Sequence, residues 1–156
     1  MKTAKPRKTT EQSMASVPFH YIDLRAFCYA TEDEKRVTEA LQTLLPEEFE
    51  IQRIENEGHH GDRILVLSAR VENADDMRVV LDRLGELPAE QRQRLLGELD
   101  ERVTDNTELF LTLEKQSAFR NDVRLGDGIT VRAKVEAYPA SKDAAVENAR
   151  DVLESL

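Results

Sequence analysis

The feature that most restricts the fold of this chain is the alternation of apolar and polar residues along three separate stretches. These stretches are residues 19–29, 63–71 and 129–135. Successive side chains of a strand point to opposite faces, so each stretch predicts a strand with one face in a core. Weaker alternation predicts two further strands at 48–55 and 107–114. Five strands, each with one polar face, indicate a largely antiparallel sheet covered by helices on one side.

Helical patterns separate these strands. Thr31 and Glu34 have the spacing of a capping box, in which each side chain satisfies a free backbone donor at a helix start. Asn73 is placed to cap a second helix, a third is predicted at about 89–103, and a closing helix follows Ser141. The sequence therefore predicts an α+β fold.

The chain of 156 residues is long enough for one domain. We expect residues 17–156 to form that domain. Residues 1–16 lack periodicity and are rich in Lys, Thr and Ser, which predicts a disordered basic tail. No apolar run approaches the roughly 18–20 residues that span a bilayer, and no apolar signal segment opens the chain, so we expect a cytoplasmic protein. The single cysteine, Cys28, falls in the apolar phase of a strand and is expected in the core.

The formal net charge of −9 would ordinarily count against a nucleic-acid partner. The charge is uneven, because the first ten residues contain four basic residues and no acid, which leaves −13 for the rest of the chain. Arginine outnumbers lysine by 15 to 7. An acid-rich, lysine-poor composition favours a halophilic source. Since salt at 1 M screens exposed charges beyond about 3 Å, the net charge does not exclude RNA in that setting.

The densest group of reactive side chains is the segment Gly58-His59-His60-Gly61-Asp62-Arg63. Imidazole and carboxylate groups are suitable ligands for zinc or iron, but adjacent histidines point opposite ways in an extended segment. Histidine rings can also stack on bases, while Arg63 can bind a phosphate. The third interpretation is a solvated polar turn.

A second candidate segment comprises the ten residues that follow the fourth strand, which we expect to be a loop. Lys115, Arg120 and Arg124 supply positive charge there, and Gln116 offers both a donor and an acceptor to a base edge. Phe119 is either a stacking platform or a hydrophobic anchor. The segment is either an RNA contact or a solvated charged run.

The polar faces of the strands carry a third candidate surface. Arg132 and Lys134 point the same way from the fifth strand, and the alternation places Arg25 and Arg70 on the same face of the sheet. Such a face is either an RNA-binding platform or an ordinary solvent face.

Motifs of enzymes are missing from the sequence. It contains neither the Gly-x-Ser-x-Gly elbow of a hydrolase nor the Gly-x-x-x-x-Gly-Lys-Ser/Thr loop that holds phosphates. Paired acids such as Asp75-Asp76 fall at helix starts, where they favour the helix dipole. We therefore expect a protein that is not an enzyme and has no cofactor or metal.

Three segments together resemble the archaeal RNA-binding family whose members are described as predicted exosome subunits. Thr31-Glu32-Asp33 is similar to the family's opening strand-to-helix junction, and the Gly58–Ile64 segment to its glycine-histidine-aromatic-glycine-asparagine signature. Lys115–Phe119 is similar to its lysine-glutamine-x-alanine-aromatic segment. The resemblance covers residues 17–138 in element order. It implies a fold like that of the ribosomal protein that binds 5S rRNA, and a role in RNA metabolism.

Three residues depart from the family pattern. His60 replaces the usual tyrosine, and Asp62 replaces asparagine. Asn121 stands where glycine is usual, and because asparagine tolerates a positive φ, we expect the turn to survive.

These observations predict one RNA-contacting surface formed by the polar sheet face and the two segments. The phosphate-binding residues would be Arg63, Lys115, Arg120 and Arg124. The base-contacting residues would be His59, His60 and Gln116, with Phe119 beside them. Expected partners are RNA, including structured or ribosomal RNA, exosome or other RNA-processing proteins, and a second copy of the chain. The alternative is a docking or dimerisation module that uses the acidic helices at 75–99 and makes no RNA contact.

Overall fold

The computed structural model describes residues 17–57 and 61–156. The predicted tail at 1–16, together with Gly58, His59 and His60, lies outside the described residues. The remainder contains a five-stranded antiparallel sheet in the order β2-β3-β1-β5-β4. The strands are β1 Phe19–Tyr29, β2 Gln52–Glu57, β3 Arg63–Val71, β4 Glu108–Glu114 and β5 Gly128–Val135.

Six helices lie within the described ranges. They are α1 Glu34–Thr43, α2 Ala74–Leu84, α3 Ala89–Gly97, α4 Leu99–Arg102, α5 Lys115–Phe119 and α6 Lys142–Glu154. None of the helices in the described part of the chain has the length and apolar character needed to cross a bilayer.

One face of the sheet and the apolar faces of the helices form the core. In the central strand β1, alternate residues from Ile22 to Cys28 are at most 2% exposed. They lie opposite buried residues of both neighbours, as where Ile22 faces Val71 on one side and Ala133 on the other. Side chains in phase on neighbouring strands share a face, so the alternation in the sequence aligns into one apolar layer. The α+β fold with a largely antiparallel sheet is confirmed.

Several boundaries differ from the sequence prediction. β2 begins at Gln52 rather than Glu48, because Glu48 has a φ of 56° and breaks the extended backbone. The prediction of a capping box formed by Thr31 and Glu34 is wrong. Asp33 caps α1 instead, and its side chain accepts a hydrogen bond from the Lys35 backbone N–H. The third helix is interrupted at Glu98, where ψ is 11°. Asn73 caps α2 as expected.

The segment after β4 is not the loop that the sequence suggested. It begins with the short helix α5, which ends before Asn121. Asn121 has a φ of 64°, and its backbone N–H donates to the Ala118 carbonyl. Asparagine is one of the few residues that enter this left-handed region at low cost, so the turn forms without glycine. The expectation for this position is confirmed.

Candidate nucleic-acid interface

The second face of the sheet is left open by the helices. We call it the open sheet face, and every side chain on it is at least partly exposed. Cross-strand register defines its members. They are Tyr21, Asp23, Arg25, Phe27, Tyr29, Gln52, Ile54, Asn56, Ile64, Val66, Ser68, Arg70, Glu108, Phe110, Thr112, Glu114, Thr130, Arg132 and Lys134. The prediction that Arg25, Arg70, Arg132 and Lys134 share one face is thus confirmed.

A row of charges crosses the middle of this face. Asp23 on β1 lies directly opposite Arg70 on β3 and Arg132 on β5. Arg70 donates from Nε and Nη2 to the two carboxylate oxygens of Asp23, at 2.7 and 2.8 Å. Arg132 Nη2 donates to Oδ2 of the same carboxylate at 2.7 Å. One carboxylate therefore holds two guanidinium groups in fixed positions.

The charge row is coupled electrostatically. Burial of Asp23 opposes its ionisation, but the hydrogen bonds from Arg70 and Arg132 outweigh burial, so the pKa of this carboxyl lies below its ordinary value. Tyr21 donates its hydroxyl proton to Glu108 Oε2 at 3.1 Å, and the Arg70 guanidinium lies 3.9 Å above the Tyr21 ring. Arg70 is thus held by an ion pair on one side and a cation–π contact on the other.

Arg25 differs from Arg70 and Arg132 because its guanidinium has no partner in the described part of the chain. It is exposed, and it makes neither a hydrogen bond nor an ion pair with any residue in 17–57 or 61–156. It lies opposite Ser68 and Thr130, two positions along β1 from Asp23. Its side chain lines two cavities of the open sheet face, of about 490 and about 110 Å³. An unpaired guanidinium beside a cavity is available to bind an anion.

The smaller cavity combines this arginine with aromatic side chains. Phe27 of β1 and Phe110 of β4 line it, with Arg25 and Thr130 between them. Phe27 is 40% exposed, and its ring stacks on Tyr29 with ring centres 6.5 Å apart and planes 27° apart. The open sheet face therefore places flat apolar rings next to hydrogen-bond donors.

The prediction that each strand has one polar face does not hold at one end of the sheet. Toward the end of the sheet where β1 finishes, the face is apolar, and Tyr29 and Ile54 are each about half exposed there, at 51% and 52%. Ile64 and Val66 of β3 lie between these two residues. The sequence contained a signal for this patch, since Phe27, Tyr29, Ile64 and Val66 occupy the phase opposite to the buried residues, where polar side chains are usual.

The described parts of the two segments singled out in the sequence, which begin at Gly61 and at Lys115, meet the sheet at the same end. The antiparallel arrangement brings the end of β1, the start of β3 and the end of β4 together. Lys115 Nζ donates to the Phe27 carbonyl near the end of β1, and Arg63 begins β3 opposite Glu57 of β2. The described residues of the two segments therefore lie at one end of the sheet but on its helix-covered side, since Arg63 has the strand phase of the buried Leu65 and Phe119 lies against Arg36 of α1.

Lys115 is committed to contacts inside the protein. Its Nζ donates to the Phe27 carbonyl at 2.8 Å and to a carboxylate oxygen of Glu32 at 2.9 Å, and its side chain is only 13% exposed. The ammonium also lies 5.6 Å from the centre of the Tyr29 ring. Lys115 thus ties the end of β4 to the turn after β1.

The other predicted contacts differ in how free they are. Gln116 and Arg120 are exposed, and Phe119 packs against the core beneath Arg36, whose guanidinium is 5.0 Å from the ring centre. Arg124 pairs with its neighbour Asp122 at 2.7 Å. Phe119 therefore fits the interpretation as a hydrophobic anchor.

Arg63 is 53% exposed, and its Nε lies 3.9 Å from Glu55 Oε2. His59 and His60 lie outside the described residues.

Comparison with known proteins connects this architecture to RNA. A family model described as RNA binding matches residues 21–135. A protein of Pyrococcus abyssi that carries the name RNA-binding protein is 38% identical over 144 residues, which span 86% of this chain and 94% of that protein.

Solved structures support the same family. A crystal structure of an Archaeoglobus fulgidus protein superposes with a TM-score of 0.77 at 30% identity, covering 86% of this chain and 99% of that one. A Methanothermobacter thermautotrophicus protein superposes with a TM-score of 0.73 at 37% identity, covering 86% and 98%. Both are described as DUF54 proteins. The family resemblance of the sequence is confirmed.

Proposed function

Because the chain belongs to the RNA-binding family whose model matches residues 21–135, we propose that it binds RNA on the open sheet face and acts without catalysis. The observation that carries this proposal is the unpaired Arg25 guanidinium in a cavity walled by Phe27 and Phe110. Bases that are splayed out of a helix stack on aromatic rings, and their phosphates bind arginine. The open sheet face offers both groups within one small area.

The fixed arginines extend this site across the sheet. Asp23 pairs with both Arg70 and Arg132, and Glu108 Oε2 lies 3.7 Å from Arg132 Nε, so the row is balanced in charge and Arg25 beside it supplies the unpaired positive charge. Since the guanidiniums are already oriented, little side-chain freedom is lost when a phosphate binds. The row would hold the backbone of the RNA while the rings contact its bases.

The distribution of charge supports this location. The open sheet face carries four basic and three acidic side chains, a formal charge of +1, although the whole chain carries −9. The acidic surplus therefore lies away from this face. Acidic surroundings would direct the RNA to the open sheet face by repelling it elsewhere.

The segments at the end of the sheet would enlarge the same surface. Arg63, Gln116 and Arg120 are exposed, and we extend the proposal to them as contacts for RNA that runs past the ends of the strands onto the helix-covered side. We also extend the proposal to His59 and His60, which precede Arg63 by four and three residues. Lys115, Phe119 and Arg124 would act by shaping this edge, since each is engaged with other residues of the protein.

The biological setting follows from the family resemblance and belongs to the proposal. We place the protein in archaeal RNA metabolism, as an RNA-contacting component associated with the exosome or with ribosomal RNA processing. The absence of catalytic motifs from the sequence is compatible with a role in holding RNA for a separate enzyme.

A second candidate function is docking onto a protein of an RNA-processing complex. The observation that favours it is the apolar part of the open sheet face, where Phe27, Tyr29 and Ile54 are each at least 40% exposed. Contiguous exposed apolar groups mark protein interfaces more often than free surface. RNA contact and docking make different demands on Arg25, which allows a direct test.

The test compares Arg25→Gln, Phe27→Ala and a control, Arg94→Gln. Arg94 is exposed on α3 and, like Arg25, has no hydrogen bond or ion pair within the described ranges. Binding of fluorescent single-stranded and structured RNA is measured by anisotropy across a range of salt concentrations. Loss of one phosphate contact to a single strand should reduce the salt slope by about 0.7, and loss of one stacked base should weaken binding roughly 5- to 150-fold.

The two variants should therefore distinguish the contribution of the Arg25 charge to RNA binding from the contribution of stacking on Phe27. We expect Arg25→Gln to flatten the salt dependence, Phe27→Ala to weaken binding with the slope unchanged, and Arg94→Gln to match the wild type. RNA binding that is insensitive to both open-face variants would move the site elsewhere on the molecule. A folded protein that binds none of the RNAs would favour the docking function.

A further inference from the structure

The strand β2 forms one edge of the sheet, and its outer side is unoccupied by the described part of the chain. All six of its residues are exposed, and no pairing beyond that with β3 is found for it within residues 17–57 and 61–156. The opposite edge is different, because β4 pairs at both ends with Val103 and Leu125 outside the sheet. β2 therefore presents free backbone donors and acceptors of the kind that pair with another strand.

The side chains of β2 are arranged in a self-complementary order. Arg53 and Glu55 point to the helix-covered side of the sheet, while Gln52, Ile54 and Asn56 point to the open sheet face. Arg53 and Glu55 thus lie one residue before and one residue after Ile54 and point to the helix-covered side. The amide side chains of Gln52 and Asn56 lie two residues before and after Ile54 and share its face. Edge strands are usually protected by charges that oppose pairing. In β2, Arg53 and Glu55 disfavour pairing with most strands, but each can face a residue of opposite charge when β2 pairs with a second β2.

The register of such a pair follows from symmetry. Two copies related by a twofold axis normal to the sheet must oppose residues of the same face, so the axis passes through a residue. An axis at Arg53 places two arginines directly opposite each other, and an axis at Glu55 does the same with two glutamates. An axis at Ile54 instead places each Arg53 opposite the partner subunit's Glu55 and each Gln52 opposite the partner subunit's Asn56.

We propose that β2 is a homodimer interface, in which a second copy of this chain pairs antiparallel about a twofold axis at Ile54. The two charged side chains of this pairing are accessible in the structure. Arg53 is held by Glu34, with its Nε 2.6 Å from Oε2, and remains 44% exposed. Glu55 is 51% exposed, and its nearest basic groups, on Arg53 and Arg63, are 4.0 and 3.9 Å away. Both side chains can therefore reach a facing partner.

The dimer would join two open sheet faces into one ten-stranded surface. Ile54 lies opposite Val66, so the apolar patches of the two copies would meet at the seam. Six residues bury less area than the roughly 1,200–2,000 Å² of a stable complex, so the dimer forms in a concentration-dependent manner. An RNA long enough to span both copies would contact two Arg25 side chains. The second contact would then form within the same complex, which raises the overall affinity for RNA.

The experiment is sedimentation equilibrium of the full chain, without RNA, across the micromolar-to-millimolar range. Arg53→Glu and Glu55→Arg each replace two opposite-charge pairs of the dimer with two like-charge pairs, and each should weaken association about tenfold or more. The double variant with both changes should recover wild-type association within about threefold. Glu50→Arg, which alters charge outside β2, is the control and should associate as the wild type does.

The most discriminating measurement mixes the two single variants. In a mixed dimer every glutamate at position 53 or 55 faces an arginine of the other copy, so two chains that associate poorly alone should associate together. Circular dichroism of each variant establishes that it is folded. A wild type that stays monomeric throughout the range, or single variants that do not associate on mixing, would overturn the interface. Since RNA is absent, this result is independent of the RNA-binding test.

Discussion

Replacing Asp23 with asparagine removes the carboxylate that organises the charge row. Asp23→Asn keeps the shape of the side chain but eliminates the negative charge that accepts three hydrogen bonds from Arg70 and Arg132. A hydrogen bond to a charged group contributes about 1.5–3 kcal/mol when it is well shielded. Arg70 and Arg132 are 47% and 33% exposed and can be hydrated when released. We therefore expect a loss of about 1–2 kcal/mol in unfolding free energy.

The pH dependence of this loss has a defined sign. Burial works against the charged form of Asp23, the hydrogen bonds from Arg70 and Arg132 work for it, and the net pKa in the folded state is lowered. A carboxyl whose pKa is lowered by folding adds stability above its unfolded pKa, about 3.9, and loses that contribution as the pH falls through its folded pKa. The difference between wild type and Asp23→Asn should thus be full near neutral pH and shrink below about pH 4.

Urea unfolding followed by circular dichroism at about pH 7 and about pH 3 measures this difference. Asp105→Asn is the control, because Asp105 is exposed in the turn before β4. A stability difference of the same size at both pH values would refute the assignment of the loss to the charge of Asp23. RNA binding by Asp23→Asn should be at least as strong as that of the wild type, because the variant removes an anion from the proposed site.

Three further changes test contacts around the end of the sheet, each by urea unfolding. Lys115→Met should cost about 2–3 kcal/mol, because the ammonium that joins the Phe27 carbonyl to Glu32 is lost; a loss below about 0.5 kcal/mol would show that Lys115 is a surface group. Gly128→Ala should destabilise the protein, since φ is 125° and the new Cβ would lie 2.6 Å from the Lys115 Cβ; wild-type stability would contradict this. At Asn121, with φ of 64°, valine should cost more than about 1 kcal/mol and glycine much less; equal losses would show that the side chain, not the backbone, governs the turn.

The sequence by itself determined the parts of the fold that depend on local periodicity. β1 and β3 begin and end at the predicted residues, because alternation over nine or more residues identifies both the strand and its buried face. The Asn73 cap was equally accessible, since its partner is three residues away. β2 was misplaced because its six residues are all exposed and carry no apolar pattern, while the partly buried Phe49 and Ile51 precede it.

Only the tertiary structure decided which charged side chains are free. Arg70 and Arg132 are 47 and 109 residues from the carboxylate that holds them, and Lys115 is 88 residues from the carbonyl that it reaches. No local pattern distinguishes Arg70 and Arg132 from Arg25, which carries the same guanidinium group but has no partner in the described chain. Strand order and register bring distant residues within about 3 Å, and that proximity determines whether a charge stabilises the fold or remains available for RNA.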